Sequence, residues 1–135
     1  MPTASEAIDV RPAASTLKIH SFSDSFQNYR LHFQVVSLKG SFFLWVGTDA
    51  VLGNLSCSLN SRFDSLPSST SLFGANDDVR ATGLARKLCT KAKKPVFVSL
   101  NIPPDQMLLP LVEKRIIAEM KENVDSFGFW YLTIG

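Results

Sequence analysis

The chain has 135 residues, 45% of them hydrophobic and 19% charged, and a formal net charge of +2. That length suits one compact domain able to bury roughly two-thirds of its unfolded surface, and the composition excludes disorder as the main state. Two cysteines, Cys57 and Cys89, exclude a disulfide scaffold and a four-thiolate zinc site, and the near-neutral balance gives no electrostatic case for nucleic acid.

Residues 1–15 are small and polar, carry Pro2 and Pro12, and show no periodicity; they read as a disordered lead-in. The N-terminus has an early acid and no apolar stretch, so it does not read as a secretory signal, and no run of eighteen apolar residues predicts a membrane span. Without a secretion signal, the sequon at Asn54-Leu55-Ser56 is read as chance. A cytoplasmic protein, with the nucleus also open to it, is the default. Leu17 to Phe22 alternates apolar with polar residues and predicts a first strand. Tyr29, Leu31, Phe33 and Val35 then share one face and Arg30, His32 and Gln34 the other, the period of a half-buried strand. Lys39-Gly40 signals a tight turn into Ser41–Gly47, where Phe42, Leu44 and Val46 lie on one face and Phe43 and Trp45 on the other. Both faces of that strand are apolar, so both should be covered, and a partner subunit is one way to cover the second.

Leu55, Cys57 and Leu59 alternate with Ser56, Ser58 and Asn60, which predicts a fourth strand; Thr70–Phe73, between Pro67 and Gly74, predicts a short fifth. The period then changes. Ala81, Leu84, Ala85, Leu88 and Cys89 form a helical stripe, with Asp77 or Asp78 placed to cap it. Pro95 ends the segment, and Val96–Leu100 is apolar enough to be a central sixth strand. A last helix follows Pro103-Pro104-Asp105, starting or kinking near Pro110, with Leu108, Val112, Ile116 and Met120 at four-residue intervals. Residues 125–135 form an apolar tail that must add a strand, pack on the sheet or remain a sticky end. The residues 16–124 between lead-in and tail thus read as a single α+β domain with helices on one sheet face.

Catalytic chemistry is hard to assemble from this inventory. His20 and His32 are the only histidines, both read as sheet-surface residues, and no nucleophile elbow, phosphate-binding loop or metal-ligand spacing accompanies them. No enzyme activity, cofactor or metal is expected. Arg86, Lys87, Lys91, Lys93 and Lys94 are the one local charge bias; they suit a solvated helix end or an acidic protein surface. No aromatics interleave with them, so nucleic acid is not expected as a partner, and the lack of a long apolar run gives no expectation of a membrane. Composition and pattern alone stop at a non-enzymatic α+β interaction domain.

Five blocks in register go further. They are Phe43-Leu44-Trp45-Val46-Gly47; Ser61-Arg62-Phe63-Asp64-Ser65-Leu66-Pro67 running on through Ser69-Thr70-Ser71-Leu72-Phe73-Gly74; Thr82-Gly83-Leu84-Ala85-Arg86-Lys87-Leu88; Lys94-Pro95-Val96-Phe97-Val98-Ser99-Leu100-Asn101; and Leu111-Val112-Glu113-Lys114-Arg115-Ile116. Across residues 16–122 the chain resembles the proteasome assembly chaperone 4 family of animals. Residues 1–15 and the tail beyond Asn123 do not match. The resemblance implies a chaperone that hydrolyses no ATP, pairs with proteasome assembly chaperone 3, binds 20S proteasome α-subunits, promotes α-ring formation and leaves as β-subunits are added. It also implies a six-stranded antiparallel sheet with two helices, the two subunits associating through their sheets. A homodimer is the alternative pairing where that partner is absent.

Two binding surfaces follow as expectations. The aromatic sheet residues Phe33, Phe43 and Trp45 form or back the chaperone interface, since large aromatics supply most burial per residue. The Arg62–Gly74 segment, with Arg62, Asp64, Ser69 and Thr70, is the candidate α-subunit contact, and Arg86 and Lys87 add a basic one. The alternative from another class is an adaptor of the same fold with a different partner.

Overall fold

The computed structural model describes residues 18–60, 66–74 and 79–127. The lead-in, the Asp77/Asp78 cap and the end of the tail lie outside the described residues. Six strands form one sheet: β1 (Lys18–Phe26), β2 (Tyr29–Leu38), β3 (Ser41–Gly47), β4 (Leu55–Leu59), β5 (Ser68–Phe73) and β6 (Val96–Asn101). Two helices, α1 (Val79–Ala92) and α2 (Leu108–Glu122), and a closing 3-10 turn (Val124–Phe127) complete the α+β fold.

The sheet order is β1-β2-β3-β6-β4-β5. Strands β1, β2 and β3 form an antiparallel meander, and Gly40 at φ +77 makes the turn at Lys39-Gly40 possible without a Cβ penalty. β4 and β5 form a second antiparallel pair. The expectation of a fully antiparallel sheet needs one correction. β6 lies between the two units, antiparallel to β4 but parallel to β3. The reason is α1: the chain leaves the β4-β5 pair, crosses back through the helix, and returns in the gap beside β3. A parallel neighbour requires such a crossover.

Both helices pack on one face. Leu31, Phe33 and Val35 of β2, Phe42, Leu44 and Val46 of β3, and Val96, Val98 and Leu100 of β6 point to that face and are buried. α1 lies over β4, β5 and β6 and buries Ala81, Leu84, Ala85, Leu88, Cys89 and Ala92; α2 lies over the β1 side and buries Leu108, Val112, Ile116 and Met120. Pro110 is the third residue of α2, within the first turn, where a missing N–H breaks no helical bond. Both cysteines are free and buried; burial pushes the Cys89 thiol up, and it donates to Asn60 Oδ1 at 3.3 Å.

The tail begins inside the domain. Phe127 is fully buried, edge-on to Phe42 with ring centroids 5.5 Å apart. The packed unit therefore extends past residue 124 to Phe127.

β1 departs from its sequence reading. His20, Phe22, Asp24 and Phe26 pair with the inward residues of β2 and face the helices, so His20 is not on the open surface of the sheet. Its Nε2 lies 2.6 Å from Glu119 Oε2 on α2, and an ionised carboxylate can only accept, so Nε2 carries the proton. Arg115 donates to Glu119 at 2.7 Å and to Asp24 at 3.0 Å, with its guanidinium over the Phe22 ring at 4.8 Å. Asn123 Nδ2 completes the set, donating to Glu119 at 2.8 Å. Burial alone would raise the Glu119 carboxyl, but the hydrogen bonds from His20 and Arg115 and their charges hold it below its ordinary value. A depressed carboxylate stabilises the fold above its unfolded value near about pH 4.3 and loses that contribution as pH falls through the folded value. Glu119→Gln should therefore cost about 1.5–3 kcal/mol at neutral pH, with the gap to wild type closing below about pH 4. Urea titrations of both proteins across that range check it; a gap independent of pH would mean that shape, not charge, is what Glu119 supplies.

Candidate functional site

The second face of the sheet has no helix on it. The strand register assembles one row straight across it: Ile19, Val36, Phe43, Phe97, Cys57 and Thr70, one residue from each strand. No charged residue interrupts the row. Ile19 is 64% exposed, and Phe43 and Phe97 are half-buried. Beside it runs a second row of Ser21, Gln34, Trp45 and Ser99. An apolar band this continuous on an uncovered sheet face is the mark of an interaction surface.

One wall of the face is a strapped loop. The Trp45 indole lies over Gly47, where a Cβ would come within 2.8 Å of the ring, and its N–H donates to the Val51 carbonyl at 2.8 Å. Only glycine leaves room there for the indole to lie flat. The far end of the loop is held by two asparagines. Asn101 Oδ1 accepts from the Gly53 N–H at 2.8 Å. Asn54 uses both ends of its amide on Leu100, donating to its carbonyl at 2.7 Å and accepting from its N–H at 2.9 Å, as a neighbouring strand would. The amide of the sequon thus serves as backbone pairing. Pinned at Val51, Gly53 and Asn54, the loop holds Val51 (56% exposed) and Leu52 (52%) beside the sheet, and a groove of about 570 Å³ opens between them and Ser21, Gln34, Phe43 and Trp45.

The expected site residues divide. Phe43 and Trp45 are together on the open face and line the groove. Phe33 borders the groove only from beneath: it is 1% exposed on the helix-covered face, stacked on Phe22 at 4.5 Å, so it can back the open face but not form it. Arg62 and Asp64 lie outside the described residues. Ser69 and Thr70 lie on strand β5 rather than in a loop, Thr70 on the open face and Ser69 turned to the helix side. Arg86 and Lys87 are exposed on α1, across the sheet from Trp45, and Lys87 is paired with Glu113 of α2 at 3.0 Å. Sequence reading missed Ile19, Val36, Phe97 and Cys57 as members of the band. Phe97 carries the same kind of signal as Phe43, an aromatic opposite the buried face of an apolar strand, and only the register places the two side by side. Among the described residues no group of acidic, histidine or cysteine side chains is placed to hold a metal ion, and no helix is long and apolar enough to cross a membrane.

Comparison with known proteins gives this geometry a family. Residues 30–102 match the family model described as proteasome assembly chaperone 4. The human proteasome assembly chaperone 4 is 42% identical over 116 residues, 85% of this chain and 94% of the relative; the mouse protein is 41% identical over the same coverage. A chain from the crystal structure of a novel chaperone complex for yeast 20S proteasome assembly superposes with a TM-score of 0.55 at 18% identity, covering 82% of this chain and 94% of the other, which establishes the likeness of fold. The matched segment includes β3 and β6, which carry Phe43, Trp45 and Phe97, the aromatic centre of the open face; the chain belongs to the proteasome assembly chaperone 4 family, a non-enzymatic class.

Proposed function

We propose that this chain acts in 20S proteasome assembly as one half of a chaperone heterodimer with proteasome assembly chaperone 3, working in the cytoplasm and open to the nucleus, binding α-subunits and promoting α-ring formation. The observation that carries the reading is the uncharged row from Ile19 to Thr70 on a sheet face with no helix over it. Burying such a row against a second sheet of the same kind removes apolar surface at about 25 cal/mol per Å² and leaves no charge unpaired. The yeast relative of this fold comes from a chaperone complex, which supports a chaperone as the partner.

The test is gentle affinity purification of the tagged chain from eukaryotic cells, with mass spectrometry of what accompanies it. Recovery of one small sheet-and-helix chaperone with 20S α-subunits, and few mature β-subunits, is the expected result. Recovery of neither would overturn the assignment and favour an adaptor with another partner. Truncating residues 128–135 separates a tail effect from a pairing effect, because that cut leaves the core residue Phe127 in place. Adding chaperone 3 should raise the thermal midpoint in a concentration-dependent way, since any ligand of the folded state stabilises it by mass action.

A further inference from the structure

We propose that the outer edge of β5 is the client-binding element, accepting an extended, uncharged polypeptide segment of the client as a seventh strand. The proposal rests on the assembly-chaperone reading and names how the client is held.

β5 closes the sheet at one end, and among the described residues no strand pairs with its outer side. Half of its backbone N–H and C=O groups therefore point away from β4, the template for strand addition. Proteins ordinarily blunt such edges with charge, proline or an inward-facing ion. The opposite edge does so: β1 carries Lys18, His20 and Asp24, the last two held by Glu119 and Arg115 of α2. β5 has none of these three; its one irregularity is a register shift against β4, where Leu55 faces Phe73 and Ser56 faces Ser71 and Leu72 is the extra residue. Its sequence, Ser68-Ser69-Thr70-Ser71-Leu72-Phe73, has no charge and no proline, and its first four side chains are short enough for another backbone to approach to about 4.8 Å. Large apolar side chains stand beside it, with Leu59 48%, Leu66 65%, Leu72 51% and Phe73 43% exposed. Strand addition draws affinity from the main chain and specificity from alternate side chains, and this edge offers both.

The edge is also pre-organised. β5 is paired with β4 in one register from Ser68 to Ser71 and packed under α1, so that stretch does not have to order on binding. β6 and β4 separate it from the Trp45 groove on β3. A chaperone stacked on the open face and a client strand added in the plane of the sheet beyond β5 therefore occupy different parts of the molecule. A segment rich in Lys or Glu would meet Leu72 and Phe73 with charge, which is why the occupant is uncharged.

The experiment is hydrogen–deuterium exchange on the full chain paired with chaperone 3, with and without purified 20S α-subunits. The backbone amides of residues 68–73 should exchange at least about tenfold more slowly when α-subunits are bound. Leu72→Lys should reduce α-subunit capture about tenfold or more while leaving pairing with chaperone 3 intact, because Leu72 lies outside the row from Ile19 to Thr70, and Leu72→Val, uncharged and β-branched, should retain capture. Capture of α-subunits with no added protection at 68–73, or undiminished capture by folded Leu72→Lys, overturns the edge proposal and leaves the assembly reading standing. Failure of the wild-type pair to capture any α-subunit overturns both. Should Leu72→Lys prove unfolded by circular dichroism, the exchange pattern of the wild type decides alone.

Discussion

Phe127→Ala should lower the unfolding free energy by about 3–5 kcal/mol, a large part of the roughly 5–15 kcal/mol that a domain of this size possesses. The ring is fully buried and stands edge-on to Phe42, itself fully buried at the start of β3. Val124, earlier in the same 3-10 turn, packs against the same core. The turn contacts β1, β2 and the end of α2, so the ring pins the last helix to the sheet. Truncation would leave a cavity bordered by Phe42, which also has the Lys94 amine 5.6 Å from its ring centroid, and a cation does not move in to fill an apolar void. Urea unfolding followed by circular dichroism is the measurement, and a slope of 1–3 kcal/mol per M implies a midpoint lower by about 2 M with the slope unchanged. A loss below about 1 kcal/mol would mean that the domain is complete at the end of α2. Phe127→Leu, which retains most of the volume, should recover more than half of the loss.

Phe127 is also where local reading of the sequence reached its limit. The strands at 29–35 and 41–47 and the stripes of both helices were legible because each repeats over several turns or alternations. Every member of the stripe from Ala81 to Cys89, and of that from Leu108 to Met120, is buried. A single phenylalanine after a helix has no period, and its burial is decided by Phe42, 85 positions earlier in the chain. Strand direction failed for the same reason: nothing within Val96–Leu100 states that β3 will be its parallel neighbour.

Two strands turned their faces against the simplest expectation. In β4 the serines point to the helices, with Ser56 2% exposed and Ser58 fully buried, while Leu55, Cys57 and Leu59 point to the open face. The small residues of α1, Ala81, Ala85, Cys89 and Ala92, let the helix come close to the sheet, and only short side chains fit beneath it. Alternation located the strand but could not say which face was inside, because the face without a helix is itself apolar. In β1, His20 and Asp24 are inward because Glu119 and Arg115 meet them there, a pairing nearly a hundred positions apart in the chain. The aromatic centre at Phe43 and Trp45 was legible from one strand with two apolar faces. Its extension through Phe97, Val36 and Ile19 needed the register of four strands.

Trp45→Ala should weaken pairing with the chaperone partner at least about 30-fold, the equivalent of a 2 kcal/mol interface hot spot, while the monomer remains folded. The ring stands on the open face, half-buried, and none of the fully buried core surrounds it. Removing it costs the interface twice. The aromatic surface goes, and so does the 2.8 Å bond from the indole N–H to the Val51 carbonyl that holds the loop carrying Val51 and Leu52 beside the groove. Trp45→Phe separates these contributions, since it retains an aromatic ring over Gly47 but has no donor for Val51; it should fall between wild type and alanine. Phe33→Ala is the control from the other face of the same sheet. It opens a cavity in the core, should cost about 3–5 kcal/mol of stability, and should affect pairing only through loss of folded protein. Circular dichroism with calorimetric titration of the partner distinguishes the two. If Trp45→Ala unfolds as Phe33→Ala does, the indole is a core residue that happens to be partly exposed. If it folds and pairs with undiminished affinity, the partner does not sit on this face, and the apolar row from Ile19 to Thr70 requires a different cover.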